Sequence, residues 1–347
     1  MRQSKLFCAL PEYISTPDSM AIDRHGNLVL SCPNFAGPAA EQAPASEGSP
    51  PGERSSGCVV KISKDGKVTK WFDVPVHPET GVARNMGIAF DDDWNVYLCD
   101  NQGWSGKPEL LFKGRLLKIT VDDNGVISKT VVVAKNMEHP NGIRIKDGCM
   151  YVTNSLMSPV KRPDGKLTSG VYRFALNEEN VDVKNDLSDK NLLAPFVTIN
   201  PECQYGVDGI VFDSKGDLYI GNFGDGEVWR LTFKSDGSLK SQMSFAKDPA
   251  QLQTTDGMIF DGEGNLYIAD FSANAIGMVD LSGKVTRVAQ SPDCTGLEGG
   301  LDQPGEPIIW NGRIIASCFD LVTGPDKVNT AHEMPATLAE IPLYGSE

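Results

Sequence analysis

Histidine is scarce in this sequence, with four among 347 residues, and no Cys-x-x-Cys pair occurs among the eight cysteines. Zinc prefers nitrogen and sulfur ligands, so a His- or Cys-rich zinc centre is not expected. No run of about 18 apolar residues exists, which excludes a transmembrane helix. The apolar patch in the N-terminal "MRQSKLFCALPEY" is too short for a signal-peptide core, so a cytoplasmic location is expected. Basic residues are outnumbered, 32 against 46 acidic, for a net charge of −14. Such a surface repels phosphate backbones, so no nucleic-acid partner is expected, and no membrane partner either. The chain has no G-x-S-x-G elbow, P-loop or dinucleotide fingerprint, which argues against serine-hydrolase and nucleotide chemistry. The cysteines are Cys8, Cys32, Cys58, Cys99, Cys149, Cys203, Cys294 and Cys318, several inside apolar strand-like runs such as "NVYLCD" and "RIIASCFD". A chain this long builds its own core, so they read as reduced, buried thiols.

What the chain has is glycine and proline, 35 and 22, spread along its length, the mark of many tight turns between short strands. Six segments repeat one pattern: "PDSMAIDRHGNLVLS" from Pro17, "NMGIAFDDDWNVYLCD" from Asn85, "PNGIRIKDGCMYVTN" from Pro140, "VDGIVFDSKGDLYIGN" from Val207, "TDGMIFDGEGNLYIAD" from Thr255 and "GEPIIWNGRIIAS" from Gly305. Each reads as a small polar or acidic residue, an apolar strand, a polar glycine turn and a second apolar strand. A third strand follows in most units, as in "EVWRLTF", whose alternation has period two, and a fourth usually trails. The pattern predicts an all-β chain, a six-bladed β-propeller of four-stranded antiparallel blades, as one domain over 1–347. The last unit holds only three strands, so residues 4–10 are expected to pair with 336–343 and hide two sheet edges. Residues 33–57, rich in Pro, Ala, Ser and Gly, read as a long loop insertion in blade one, expected to cover the same mouth as Asp18. A shorter loop is expected at 155–169.

Aligned on the last apolar residue of each first strand, the six units place Asp18, Met86, Asn141, Asp208, Asp256 and Glu306 at one phase. First strands of propeller blades line the central channel, so four carboxylates and one amide should converge on its axis. A lone Asp-Gly reads as a turn or strand cap, but five polar residues at one repeat phase read as a site. Clustered carboxylates repel unless protons or a cation neutralise them. An all-oxygen set suits a hard divalent ion, calcium first, with Mg2+, Mn2+ or Zn2+ as alternatives.

At these residues the chain resembles the senescence marker protein/gluconolactonase (regucalcin-like) family, broadly related to diisopropylfluorophosphatase, paraoxonase and strictosidine-synthase-like proteins. "VDGIVFDSKGDLYIGNFGDGEVWRL" is similar to that family's blade-four signature and "HPNGIRI" to its Asn-Gly segment in blade three. The resemblance implies metal ligands at Asp18, where family members typically have Glu, and at Asn141 and Asp208. In blade two the family resembles Arg-x-Asn-Asp-Gly, whereas this chain has Arg84-Asn85-Met86-Gly87. Asn85 reaches the axis only if that strand start shifts by one residue; otherwise Asp256 or Glu306 completes the shell, or the metal is absent. Arg84 falls where the family binds substrate. Arg84, Asn85, His139 and Glu306 are thus the candidate substrate contacts, and Asp208 and Asp256 the candidate catalytic carboxylates. The implied activity is metal-dependent hydrolysis of a lactone or related ester by a monomer or weak homo-oligomer acting on a small molecule. The alternatives are a non-catalytic binding propeller, or a strictosidine-synthase-like enzyme with altered metal dependence.

Overall fold

The computed structural model describes residues 1–35, 56–105, 107–322 and 328–344. Six antiparallel sheets follow one another along the chain, with no α-helix among the described residues. Blade one comprises Met20–Ile22, Leu28–Cys32, Cys58–Ile62 and Val68–Asp73; blade two Asn85–Phe90, Val96–Asp100, Gly114–Val121 and Ile127–Met137. Blade three comprises Pro140–Lys146, Cys149–Asn154, Leu167–Ala175 and Leu192–Thr198; blade four Val207–Phe212, Leu218–Asn222, Glu227–Phe233 and Leu239–Lys247. Blade five comprises Met258–Phe260, Leu266–Asp270, Ala275–Val279 and Val285–Gln290. Blade six is Pro304–Trp310, Arg313–Cys318 and Thr337–Pro342, completed by the N-terminal strand Lys5–Ala9 against Thr337–Pro342, as the incomplete last repeat requires. Blade two departs from the four-strand rule: Val181–Asp182, from the chain of blade three, adds to it in parallel beside Ala134–Lys135.

Four of the six hairpins joining first and second strands are built by one device; blades three and six turn instead on the left-handed pairs Asp147-Gly148 and Asn311-Gly312. Asp23, Asp91, Asp213 and Asp261 each accept, through Oδ1, the backbone N–H four residues on, at 2.8–2.9 Å. That Asx turn needs a left-handed residue before the second strand, supplied by Gly26, Gly216 and Gly264. Blade two carries Trp94 there instead, at φ 63°.

Apolar residues of facing blades form the core between sheets. Tyr151, Val171 and Phe196 of blade three pack with Val207, Ile210, Leu218 and Ile220 of blade four; Val29 and Val59 pack likewise with Ile88 and Leu98. Burying one such side chain is worth roughly 1.5–3 kcal/mol, so the ring is held by its inter-sheet faces. The insertion leaves blade one at Cys32 and returns at Cys58, two residues paired directly across the sheet. Its residues 36–55, and with them the expected cover over the mouth, lie outside the described residues. All eight cysteines are free thiols, four of them buried.

Candidate active site at the channel mouth

The axial residues owe their placement to a repeated irregularity. In blades two, three, four and six the pairing of first and second strands slips by one residue, at Asn85/Ile88, Pro140/Ile143, Val207/Ile210 and Pro304/Pro307. Such a bulge re-aims the side chain of the extra residue. The bulges present Met86, Asn141 and Asp208; in blade six the residue at that register is Gly305, and Glu306 stands where the other bulges carry glycine. In blades one and five the strand begins just after the equivalent residue, and Asp18 and Asp256 hang on single bonds to Ser31 O (2.9 Å) and Ala269 O (3.0 Å).

The glycine following most of these residues is not a turn glycine. A Cβ at Gly87 would lie 2.3 Å from Asn141 O, one at Gly142 2.6 Å from Asp208 O, and one at Gly209 2.1 Å from Asp256 O. Each glycine lets the next blade's axial backbone approach, which is how inner strands close around a narrow channel.

Asp18, Met86, Asn141, Asp208 and Asp256 line one cavity of about 490 Å³, within the range of small-molecule sites. Glu306 does not. It faces the opposite mouth, where Arg144 holds it at 2.6 Å and Met20 N donates to it at 3.3 Å. Arg84 and Asn85 also lie off the cavity lining. Arg84 donates to Pro33 O (3.1 Å) and Asn34 O (3.0 Å), tying down the start of the blade-one insertion. Asn85 is fully buried, its amide donating to Ser31 Oγ (2.7 Å) and Cys58 O (3.1 Å), because the bulge turns Met86 rather than Asn85 toward the axis. The one-residue shift that would have brought Asn85 inward is absent. His139 does line the cavity, beside Tyr205 at 5.8 Å between ring centroids. Burial holds its pKa down to about 4, so the imidazole is neutral near pH 7.

Of the axial carboxylates in the cavity, Asp18 and Asp208 are buried and Asp256 is half-buried, and they repel one another. Burial raises Asp18 to about 8, and Glu306 adds to the rise. Burial raises Asp208 well above its ordinary range, with Asp18 and Glu306 adding; Asp256 is raised by burial and then by Asp208 and Asp18. Asn141 Nδ2 donates to Asp208 Oδ2 at 2.7 Å and to the Tyr205 hydroxyl at 3.2 Å, which leaves the amide oxygen for another partner. Asp18 Oδ2 is buried with no hydrogen-bond partner. An orphaned carboxylate oxygen beside an amide oxygen and two further carboxylates fits a hard cation. The carboxylates do not all place an oxygen within 4.8 Å of one another.

Groups whose charged form is disfavoured by folding bind protons more tightly in the native state. Their stabilisation is complete below the ordinary carboxylate pKa of 3.8 and is lost as pH rises toward about 8. In a divalent chelator the protein is therefore expected to melt several degrees lower at pH 8 than at pH 5, with calcium restoring the difference. Asp302, raised in the same direction, adds to the effect. A melting temperature in chelator that rises over that interval would contradict this electrostatic picture.

The walls were not foreseen from sequence. Phe223, Phe271 and Phe319 follow the second strands of blades four, five and six at one repeat phase, in "GNF", "ADF" and "SCF". They form an arc: Phe35–Phe319 6.2 Å, Phe319–Phe271 5.8 Å, Phe271–Phe223 5.7 Å and Phe223–Tyr205 5.3 Å between centroids. The repeat alignment carried this signal at a position past the strands that defined it. Arg144 was missed because its partner Glu306 is 162 residues away.

No protein-family model matches the chain. Lactonase drp35 of Staphylococcus haemolyticus (strain JCSC1435) is 25% identical over 138 residues, which are 40% of this chain and 32% of that protein. The match thus spans about a third of the relative's length. Among solved structures, regucalcin of Agrobacterium tumefaciens, described as a calcium-binding protein, aligns at TM-score 0.60 and 13% identity, covering 98% of this chain and 93% of that one. A gluconolactonase of Xanthomonas campestris aligns at TM-score 0.55 and 15% identity, covering 96% and 88%. At these identities the likeness establishes the architecture: this chain has the six-bladed propeller fold of the gluconolactonases and regucalcin.

Proposed function

We propose that the chain is a hydrolase of lactones or related esters that depends on a divalent cation, calcium, at the channel mouth. The observation that carries this reading is the convergence of Asp18, Asn141, Asp208 and Asp256 on the floor of one concave cavity. The partial likeness to a lactonase and the fold shared with gluconolactonases and a calcium-binding regucalcin support it.

Asp18, Asn141 and Asp208 would hold the ion. The chemistry it supplies when bound is neutralisation of the buried carboxylates and Lewis-acid polarisation of a carbonyl oxygen. The chain's own contribution is proton handling and shape. Asp208, its Oδ2 fixed by Asn141, or Asp256, its Oδ1 accepting the Gly257 N–H at 2.9 Å, takes the proton of the attacking water. As water oxygen bonds to the acyl carbon the ring C–O bond breaks, and that proton passes to the departing alkoxide, giving a hydroxy acid. His139, neutral and packed on Tyr205, serves as wall rather than base.

The aromatic arc and the absence of Arg84 from the lining favour a substrate with an apolar arm over a polyhydroxylated one. An alkyl-substituted δ-lactone is expected to be turned over with kcat/KM at least about 10-fold above glucono-δ-lactone. Phe271→Ala should lower kcat/KM for the alkyl lactone by about 10-fold while leaving glucono-δ-lactone within about 2-fold. Preference for the sugar lactone would refute the apolar-arm assignment, and hydrolysis of neither would refute the lactonase reading.

Met86 favours a second reading. It occupies an axial position where a thioether is a poor ligand for a hard cation. An enzyme with weakened metal dependence follows if activity survives exhaustive chelation.

A further inference from the structure

Blade six carries a second group of carboxylates away from the cavity lining. Asp302 precedes the strand Pro304–Trp310, Asp320 follows Arg313–Cys318, and Glu333 precedes Thr337–Pro342. One oxygen from each lies within 4.8 Å of the other two. Asp302 is 2% exposed and Asp320 1%. Asp320 is partly satisfied: its Oδ1 accepts from Asn329 Nδ2 at 3.0 Å, and its Oδ2 accepts from Glu333 N at 2.6 Å and faces His332 Nδ1 at 3.0 Å. Asp302 Oδ1 and Glu333 Oε2 are buried without a hydrogen-bond partner.

A third orphan does not belong to the acidic set. Asn329 is 1% exposed and gives its Nδ2 to Asp320 and, at 3.5 Å, to Gln303 Oε1, yet its carbonyl Oδ1 also has no partner. An unsatisfied buried carbonyl costs roughly 1–3 kcal/mol, and an unpaired buried carboxylate costs more. Among the described residues, no Lys or Arg forms an ion pair with any of the three acids; the imidazole of His332 is the one basic neighbour within ion-pair distance. Two loops, the one before Pro304–Trp310 and the connection from Arg313–Cys318 to Thr337–Pro342, thus bring together oxygens that lack donors, and a cation is the group that satisfies oxygens from several directions at once.

We propose that Asp302, Asp320, Glu333 and Asn329 form a second binding site for a hard divalent cation, calcium, separate from the channel site. Its role is structural. It joins the approach to blade six's first strand, the exit of its second and the entry to its third. The Asp320 loop continues from Phe319 into Leu321 and Val322, which line the cavity wall, so the ion fixes that wall in place. The donor set is all oxygen, which selects calcium over softer metals.

The test is calcium stoichiometry on the full chain, by equilibrium dialysis against calcium chloride, with melting curves in chelator and in calcium. Wild type is expected to bind two ions per chain. Asp302→Asn/Glu333→Gln should bind one, as should Asp208→Ala, and the combined variant none. In the Asp208→Ala background calcium should still raise the melting temperature by roughly 5 °C, and the blade-six pair should abolish that rise. In chelator, Asp302→Asn should melt no lower than wild type, because it replaces a buried carboxyl that lacks a donor with a neutral amide of the same shape; this also guards against mistaking misfolding for lost binding. Unchanged stoichiometry and an unchanged calcium response in Asp302→Asn/Glu333→Gln would overturn the proposal. So would a single ion in wild type that Asp208→Ala removes. Two ions lost together in Asp208→Ala alone would place both in the channel and overturn it equally. Loss of one ion in the blade-six pair with none lost in Asp208→Ala would support this site while refuting the channel reading, so the two fail separately.

Discussion

Asp208→Ala is expected to lose the channel cation and at least about 100-fold in lactone turnover, while still folding. The side chain sits at the bulge of blade four, buried, with Asn141 Nδ2 on one oxygen at 2.7 Å. Its removal takes away a ligand oxygen, one negative charge and a candidate base together. The fold should survive because the buried carboxylate is unfavourable there: burial first, then Asp18 and Glu306, push its proton affinity up. In chelator the variant should therefore melt no lower than wild type. Asp256→Ala removes a neighbour that the sequence resemblance does not place among the ligands, and should retain the cation. If Asp208→Ala keeps full metal occupancy and normal turnover, the cavity is not a hydrolytic metal site and the binding-propeller alternative takes its place. If Asp256→Ala abolishes turnover with the cation retained, Asp256 is the base and Asp208 serves the ion alone.

The largest effect on stability is expected from a single methyl group. Gly209→Ala would set a Cβ 2.1 Å from the carbonyl oxygen of Asp256 and 2.9 Å from Met258 Cε. The first of these is backbone of the neighbouring blade, which cannot rotate away. Relief requires the inner strands of blades four and five to separate, and around a closed ring that displacement is shared by all six. A loss of about 3 kcal/mol or more is expected, seen as a fall in melting temperature of at least roughly 5 °C. Gly262→Ala, in the blade-five hairpin where no atom lies within 4 Å of the added Cβ, serves as the control and should be near neutral. Equal melting of both variants would mean that the axial glycines are not there for close approach.

The axial glycines mark the point at which residue order stops specifying the structure. The recurring Asp-Gly pairs looked alike, and each alone suggested a turn. Turn glycines do exist here, at Gly26, Gly216 and Gly264, all in left-handed conformation. Gly87, Gly142 and Gly209 differ in kind, since their lack of a side chain answers to a neighbouring blade more than forty residues away. The axial convergence was legible because it needs only repeat phase. Met86 fell in the cavity as the ungapped alignment requires, and Asn85 did not. Arg84 was not legible: its guanidinium turns to Pro33 O and Asn34 O, and nothing in the order of residues specifies that choice. Glu306 was placed one residue out of phase: the strand register puts Gly305 at the axial position, and Glu306, where other blades carry glycine, points to the opposite mouth and pairs with Arg144.

By itself the sequence determined the blade count, the strand order, the closure by Lys5–Ala9 against Thr337–Pro342, and five of the six residues it assigned to the axis. These follow from period-two patterning and a repeat phase, which are local properties copied six times. Only the tertiary structure decided which of the axial residues share a cavity, which face away, what the walls are made of, and where buried oxygens are left without donors. Those outcomes depend on pairs such as Asn141–Asp208, Arg144–Glu306 and Asp302–Glu333, joined across blades or loops by packing, and a one-dimensional pattern carries no record of which oxygen faces which nitrogen.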